Sequence, residues 1–201
     1  TLAETYQTVD WLYGQGYRVL SYLGGESLAP APFVTKEGNT FARHTLEVVK
    51  HAKEKGMLVN VTSNGDFISP KQPEVIVEFA KAGLDSLTLS LHSYTKSGLD
   101  HLLNASKLAA RHRIIPTIQT VMTSQTVDKL PGIAAVAAEN GILFSLGLVQ
   151  TKGDGFAKEQ DASTIPTKEQ QERTFRALRG LKTFGFVRNN RNYLTNGTTF
   201  Y

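Results

Sequence analysis

The sequence predicts an α/β protein whose parallel sheet forms an incomplete barrel. Its hydrophobic period switches repeatedly between a helical and an extended pattern, which is typical of βα units. Each predicted strand follows a helix, and such units join parallel strands by right-handed crossovers. A closed eight-unit barrel typically needs about 250 residues, whereas these 201 residues carry only five clear strands. We therefore favour an incomplete barrel, and the periodicity leaves a doubly wound open sheet as the alternative.

Turn residues mark the boundaries of the predicted helices in the first half. One apolar helical stripe begins at Leu2 and stops at Gly14 to Gly16, and a second begins at Ala42 and ends at Gly56, where glycine adopts a left-handed conformation at no steric cost. Pro73 suits the first turn of a third helix. Trp11 is predicted to be a core residue. A strand follows each helix, at residues 17–23, 57–62 and 85–91.

The same alternation continues in the second half of the chain. Helices are predicted near residues 99–111 and 127–139, and strands near residues 114–122 and 143–149. After a longer connection, residues 150–166, Thr167 and Gln170 form the pattern of a capping box at the start of a last helix. A further short strand is predicted at residues 186–191.

The composition excludes several classes of protein. No apolar run approaches the roughly 20 residues that span a bilayer. The net charge of +4 is spread along the chain without a long basic block, so it indicates no nucleic-acid partner. Because the chain has no cysteine, its residues form no disulfide, no thiolate metal site and no cysteine nucleophile.

The first residue is Thr1 rather than Met, and no charged-then-apolar leader precedes the first helix. We therefore expect residues 1–201 to be a single domain excerpted from a longer protein.

Polar segments follow the predicted strands at the edge where α/β enzymes bind ligands. The Gly-Gly-Glu segment at 24–26 is the most informative, because two glycines let the backbone approach a ligand and a carboxylate can hold an ammonium group. Asn64 and Gly65 stand at the next strand end, and Ser90 stands at the one after. The simpler interpretation of the glycine pair alone is a plain strand-to-loop turn.

The order Gly-Gly-Glu, Ser-Asn-Gly and Ser-Leu-His-Ser at consecutive strand ends resembles the core of the radical S-adenosylmethionine enzymes. The resemblance covers nearly the whole chain, and three motifs in order are more specific than any one of them. It implies a partial (β/α)6 TIM-like barrel, truncated at the N-terminus. It also implies binding of S-adenosylmethionine and a [4Fe-4S] cluster, which together generate a 5′-deoxyadenosyl radical that abstracts hydrogen from an unknown substrate.

The resemblance implies which residues bind the cofactor. The Gly-Gly-Glu segment would hold the amino group of the methionine moiety, the Ser-Asn-Gly segment would lie near the cofactor, and Ser90 would meet its ribose or carboxylate. At His92, where the family often has an acidic residue, a structural hydrogen bond and a substrate contact both stay open. The complete set is Gly24, Gly25, Glu26, Ser63, Asn64, Gly65, Ser90 and His92.

The chain departs from the family pattern at two main places. Ser27 stands where the family commonly has proline, and the Cys-x3-Cys-x2-Cys loop that ligates the cluster is missing. We expect that loop to lie before residue 1, so that this chain alone is inactive. The resemblance further implies a cytoplasmic oxidoreductase or transferase that takes electrons from a donor such as flavodoxin or ferredoxin.

Two other functions stay open on the residues alone. Lys152 follows the last clear strand, where a Schiff-base aldolase on a barrel would place its nucleophile, although a solvated or phosphate-touching lysine is the simpler interpretation. The other alternative is a degenerate barrel that binds a nucleoside without reacting. The five histidines contain no His-Glu-x-x-His pair, so no histidine metal site is predicted.

Overall fold

The computed structural model describes residues 1–30, 38, 40–71, 73–92, 94–148, 165–182 and 185–187, to which all structural statements refer. Helices and strands alternate along these residues, as the sequence predicts. The elements are α1 Leu2–Gly14, β1 Val19–Tyr22, α2 Phe41–Glu54, β2 Leu58–Ser63, α3 Glu74–Lys81, β3 Ser86–Ser90, α4 Lys96–Arg111, β4 Ile115–Met122, α5 Leu130–Glu139, β5 Leu143–Leu148 and α6 Lys168–Lys182.

The five strands form one sheet in the order β1-β2-β3-β4-β5, which is also their order along the chain. The pairs β1–β2 and β2–β3 are parallel. A doubly wound sheet reverses its strand order at a switch point, so this sequential order excludes the doubly wound alternative and confirms the α/β, barrel-type prediction. No helix among the described residues is long and apolar enough to cross a membrane.

The chain divides into two compact units. Unit 1 comprises Thr1–Ser90 and Asp100–Thr117, and unit 2 comprises Leu91–Leu99 and Ile118–Tyr201. In unit 1 the core lies between the sheet and its covering helices, because every second residue of a strand points to the same face. Its fully buried residues include Val48 and Val49 of α2, Val61 of β2 and Leu87 of β3.

A polar cluster holds α1 against α2 within unit 1. The ring of Tyr6 stacks on that of His51 with centroids 4.1 Å apart, and the carboxylate of Asp10 lies 2.8 Å from Lys55 Nζ and 2.6 Å from His51 Nε2. Hydrogen bonds from Lys55 and then from His51 lower the pKa of the Asp10 carboxyl. The prediction for Trp11 is wrong: its side chain is 62% exposed, because it lies on the helix face away from the buried Val9.

A second carboxylate fixes the amino ends of β2 and β3. One Asp85 oxygen accepts a hydrogen bond from the backbone N–H of Val59 at 2.7 Å, and the same oxygen lies 2.8 Å from Lys53 Nζ of α2. Asp85 therefore joins a helix and two strands at the edge of the sheet opposite the predicted site.

Unit 2 contains the predicted capping box and one departure from prediction. Thr167 N–H donates to Gln170 Oε1 at 2.9 Å, and Gln170 N–H donates to Thr167 Oγ1 at 3.3 Å, which confirms the start of α6. The helix predicted at residues 127–139 is instead a 3₁₀ turn, Val127–Lys129, followed by α5. Pro131 lies in the first turn of α5; it has no N–H, so an α-helical ladder cannot continue unbroken into α5 from the preceding residues.

Several predictions fall outside the described residues. These are the connection from residue 150 to 164, including Lys152, and residues 188–191 of the last predicted strand. Of that strand, Val187 forms an isolated parallel bridge with Phe144.

Candidate functional site

The carboxyl ends of β1, β2 and β3 meet at one edge of unit 1. Tyr22 pairs with Val61, and Val61 pairs with Leu87, so the residues just beyond these three lie side by side. The predicted segments follow there: residues 24–26, residues 63–65 and Ser90. The register therefore brings three of the sequence motifs together within one unit.

The Glu26 carboxylate joins the first two of these segments. Its Oε1 accepts from the Ser63 hydroxyl at 2.6 Å, and its Oε2 accepts from the Asn64 backbone N–H at 2.8 Å. Oε1 also accepts from the Leu28 N–H at 3.0 Å. Because both oxygens already have partners from the chain itself, Glu26 acts as a link between two loops.

The Ser-Asn-Gly segment forms a closed hydrogen-bonded turn. Ser63 Oγ accepts from the Gly65 N–H at 3.0 Å. The Asn64 side chain accepts from the Asp66 N–H at 2.9 Å through Oδ1, and its Nδ2 donates to Asp66 Oδ2 at 2.9 Å. The Asn64 side chain thus shapes its own loop.

Gly65 is required at its position by both conformation and space. Its φ is +83°, and a Cβ there would lie 2.8 Å from Cδ2 of Leu102 in α4. Its carbonyl oxygen lies 3.0 Å from His101 Nε2. Since a carbonyl can only accept, Nε2 of His101 carries the hydrogen. His101 was not predicted, because its contact depends on how α4 packs across the loop.

Gly24 and Gly25 present exposed backbone at this edge. Their φ values are +129° and +55°, and a Cβ built on either residue meets no heavy atom within 4 Å. A ligand can therefore approach this backbone closely, as two consecutive glycines allow. Among the described residues, the exposed Gly-Gly backbone is thus a part of this edge that leaves room for a ligand.

The remaining predicted residues differ in their placement. Ser90 is half-buried at the end of β3. His92 is exposed and belongs to unit 2, whereas the other predicted residues belong to unit 1. Ser27 is 2% exposed, and its hydroxyl has no hydrogen-bond partner among the described residues.

A row of polar side chains on β1, β2 and β3 was missed from the sequence. Ser21 pairs with Asn60, and Asn60 pairs with Ser86; the Asn60 side chain hydrogen-bonds to both serine side chains. The signal was present in the alternation of β2, in which Val59 and Val61 flank Asn60. Such alternation predicts one apolar face and one polar face.

Tyr22 points to the opposite face of β1, toward α2. Its ring lies 6.5 Å from the ring of His44. Burial raises the pKa of the Tyr22 hydroxyl, and a hydrogen bond with Thr45 opposes that shift. Tyr22 therefore belongs to the helix-covered face rather than to the candidate site.

A cavity on the helices does not coincide with this edge. It has a volume of about 640 Å³ and lies between α2 and α3, where its lining includes Lys50 and Lys53. Lys50 Nζ lies 2.8 Å from Glu47, and Lys53 is paired with Asp85. The cavity's lysines are thus partly neutralised, and it shares no residue with the predicted set.

The described residues do not fit an iron–sulfur cluster. The chain has no cysteine, and no group of three or more His, Cys, Asp or Glu side chains among the described residues could hold a metal ion. The exposed Gly24–Gly25 backbone, in contrast, fits the close approach of an organic ligand.

No known family model matches the sequence, and no curated protein matches it. Solved structures do share its architecture. The match to SuiB from Streptococcus suis covers 90% of this chain and 40% of that chain, with a TM-score of 0.60 and 17% identity. The match to anSMEcpe with bound AdoMet covers 92% and 54%, with a TM-score of 0.60 and 13% identity.

The fold is that of a partial TIM-like barrel. A 2,3-dimethylmalate lyase of the PEP mutase/isocitrate lyase superfamily also shares it, over 87% of this chain and 61% of that chain, with a TM-score of 0.56 and 11% identity. The chain spans 40% of SuiB and 54% of anSMEcpe. At these identities the likeness extends to the fold, and function has to be argued from the site.

Proposed function

We propose that this chain is the S-adenosylmethionine-binding core of a radical S-adenosylmethionine enzyme. The observation that carries the proposal is the link made by Glu26, which ties the Gly-Gly-Glu segment to the Ser-Asn-Gly segment. The two motifs, which are separate in the sequence, are therefore hydrogen-bonded to each other. The likeness to a structure with bound AdoMet supports the same function.

In this proposal the backbone of Gly24 and Gly25 receives the ammonium group of the methionine moiety. Carbonyl oxygens are good acceptors for such a group, and the absence of side chains allows the approach. Glu26 holds the Gly-Gly backbone in position through Ser63 and Asn64. Ser90, at the same edge, would contact the ribose or the carboxylate. When bound and reduced, S-adenosylmethionine supplies radical chemistry for hydrogen abstraction.

An iron–sulfur cluster and an electron donor such as flavodoxin or ferredoxin would complete this activity. Ligation of the cluster requires thiolates that these 201 residues lack, so we assign no cluster ligand to this chain, and we assign no residue to the electron donor.

The experiment is calorimetric titration of the 201-residue chain with S-adenosylmethionine, comparing two glycine substitutions of similar backbone strain. Gly25→Ala places a Cβ at the proposed ligand. Gly56→Ala is the control, because it adds a Cβ at a similar positive φ of +77° but in open space at the other edge of the sheet, away from the proposed ligand. Each costs about 1–2 kcal/mol of left-handed strain. We expect Gly25→Ala to weaken binding at least tenfold and Gly56→Ala to leave it unchanged.

Two results would overturn the proposal: no binding by the wild-type chain, or equal binding by both variants. Adenosine serves as the competitor that separates the alternatives. If adenosine binds as tightly as S-adenosylmethionine, the methionine moiety is not recognised and the chain is a nucleoside-binding barrel.

A further inference from the structure

The inner face of the first three strands carries a connected polar cluster, which we call the polar row: Ser21, Asn60, Ser86 and Thr88. Asn60 Nδ2 donates to Ser21 Oγ at 3.1 Å. The hydroxyls of Ser86 and Thr88 donate to Asn60 Oδ1 at 2.9 Å and 3.0 Å. All four residues belong to unit 1.

The hydrogen bonds fix the orientation of the Asn60 amide. Two hydroxyls occupy both lone pairs of its oxygen, so the oxygen faces β3 and the nitrogen faces β1. Thr88 is buried and serves this positioning. An amide whose oxygen is saturated has a single role left, which is donation from its second N–H.

The accessible members of the row offer donors at one end and an acceptor at the other. Ser21 is exposed and accepts from Asn60, so its own O–H remains to donate. Asn60 has its second N–H to donate. Half-buried Ser86 uses its hydrogen on Asn60, which leaves its oxygen as an acceptor. Neighbouring strands are about 4.8 Å apart, so donors and acceptor are spaced to meet adjacent groups of one ligand.

The face of β1, β2 and β3 that carries the row is apolar toward the amino ends of the strands, where Val19 pairs with Leu58, whereas Thr62 pairs with Thr88 toward the carboxyl ends. Within these three strands, this face includes no Asp, Glu, Lys or Arg. Val19, Leu23 and Leu58 on this face are 62%, 69% and 55% exposed. A packed barrel interior is dominated by buried branched residues; this face is polar in its middle row and open to solvent. The described residues of these three strands therefore supply no counter-charge for an ionised ligand on this face.

We propose that the polar row is a recognition site for an uncharged substrate that bears carboxamide groups. A carbonyl oxygen accepts from Ser21 and Asn60, and the neighbouring amide N–H donates to Ser86 Oγ. The apolar side chains beside the row cover the carbon skeleton of the substrate. The substrate class rests on the proposed function, but the row itself contains no residue assigned to S-adenosylmethionine.

The test is an NMR titration of the ¹⁵N-labelled chain that follows the Asn60 side-chain amide. The probes are N-acetylglycine N-methylamide, a neutral diamide, and, for comparison, sodium acetate, methylammonium chloride and glycerol. We expect the diamide to give a saturable shift of the Asn60 signal. We expect Ser21→Ala and Ser86→Ala each to weaken its binding about three- to tenfold, which is the effect of one neutral hydrogen bond.

Two further variants sharpen the test. Asn60→Asp keeps the acceptor for Ser86 and Thr88 but loses the donor, so diamide binding, followed in this variant by the backbone amide of residue 60, should be abolished. Ser97→Ala, in an exposed turn of α4, should bind like wild type. If Asn60→Asp does not fold, Ser21→Ala decides, since the Ser21 side chain is exposed.

The proposal is overturned if the diamide leaves the Asn60 signal unmoved, if acetate, methylammonium or glycerol binds as tightly, or if the serine variants match wild type. Titration of the same samples with S-adenosylmethionine keeps the two proposals apart. If S-adenosylmethionine binds but the diamide does not, the proposal for the polar row is refuted. If the diamide binds but S-adenosylmethionine does not, the proposed function is refuted.

Discussion

The link between the strand-end loops can be tested by removing the Glu26 carboxylate. Two of its hydrogen bonds, from Ser63 at 2.6 Å and Asn64 at 2.8 Å, join different loops. A hydrogen bond to an ionised group contributes about 1.5–3 kcal/mol, so the two together reach about 3–6 kcal/mol. Because the carboxylate is only half-buried, we expect Glu26→Ala to cost about 3 kcal/mol and Glu26→Gln, which keeps one carbonyl acceptor, about 1.5–2 kcal/mol.

Urea unfolding followed by circular dichroism measures this loss. With an m-value of about 2 kcal/mol/M, a loss of about 3 kcal/mol lowers the midpoint by about 1.5 M. Glu139→Gln, at an exposed position in the last turn of α5, is the matched control and should change stability by less than about 0.5 kcal/mol. Equal midpoints for Glu26→Ala and this control would refute the role of the carboxylate as a link.

Substitutions at three further positions probe contacts near the same strand ends. Gly65→Ala adds a Cβ 2.8 Å from Leu102 Cδ2 at a φ of +83°, and we expect a loss of about 2–4 kcal/mol in urea unfolding. His101→Ala removes the donor to the Gly65 carbonyl and should lower the free energy of unfolding by about 1 kcal/mol. His101→Gln, which keeps a side-chain N–H donor, should restore part of that stability. Burial raises the pKa of Tyr22 above its ordinary value of 10.0. Stability from Tyr22 is therefore complete below pH 10 and declines above it, where the unfolded chain loses the proton first; Tyr22→Phe should flatten this decline in thermal unfolding between about pH 8 and about pH 11.

Each of these expectations has a contrary outcome. Wild-type stability in Gly65→Ala would mean that Leu102 moves aside without cost, and Gly132→Ala, at a helical glycine with open space around its Cβ, controls for the added methyl group. Equal losses in His101→Gln and His101→Ala would assign the effect to packing rather than to the hydrogen bond. An unchanged alkaline decline in Tyr22→Phe would place its origin in another group.

Much of the fold follows from periodicity and turn residues. The alternation of helices and strands, the capping box at Thr167 and the end of α1 within Gly14 to Gly16 were all predicted and are confirmed. The prediction for Trp11 failed because a single apolar stripe does not identify which residues of a 13-residue helix face the core. The split between the 3₁₀ turn and α5 was missed because apolar spacing continues through Pro131 while backbone hydrogen bonding does not.

The candidate site was predicted in its segments but not in its connections. The sequence locates the Gly-Gly-Glu and Ser-Asn-Gly segments at strand ends, and the register then sets which side chains meet. The sequence does not reveal that the Glu26 oxygens accept from Ser63 and Asn64; its role toward an ammonium group stays a prediction. Likewise, the row formed by Ser21 and Asn60 depends on the alignment of β1 with β2, which no local pattern specifies.

The contact of Asp85 with Val59 and Lys53 holds the register of β2 while other parts of the sequence diverge in evolution. A slip of β2 by one residue would break that contact and turn the inward side chains outward. This anchor lies at the opposite ends of the strands from the Gly-Gly-Glu and Ser-Asn-Gly loops, so its contacts do not depend on the residues of those loops. Such a scaffold can change its strand-end loops while retaining the architecture that presents them.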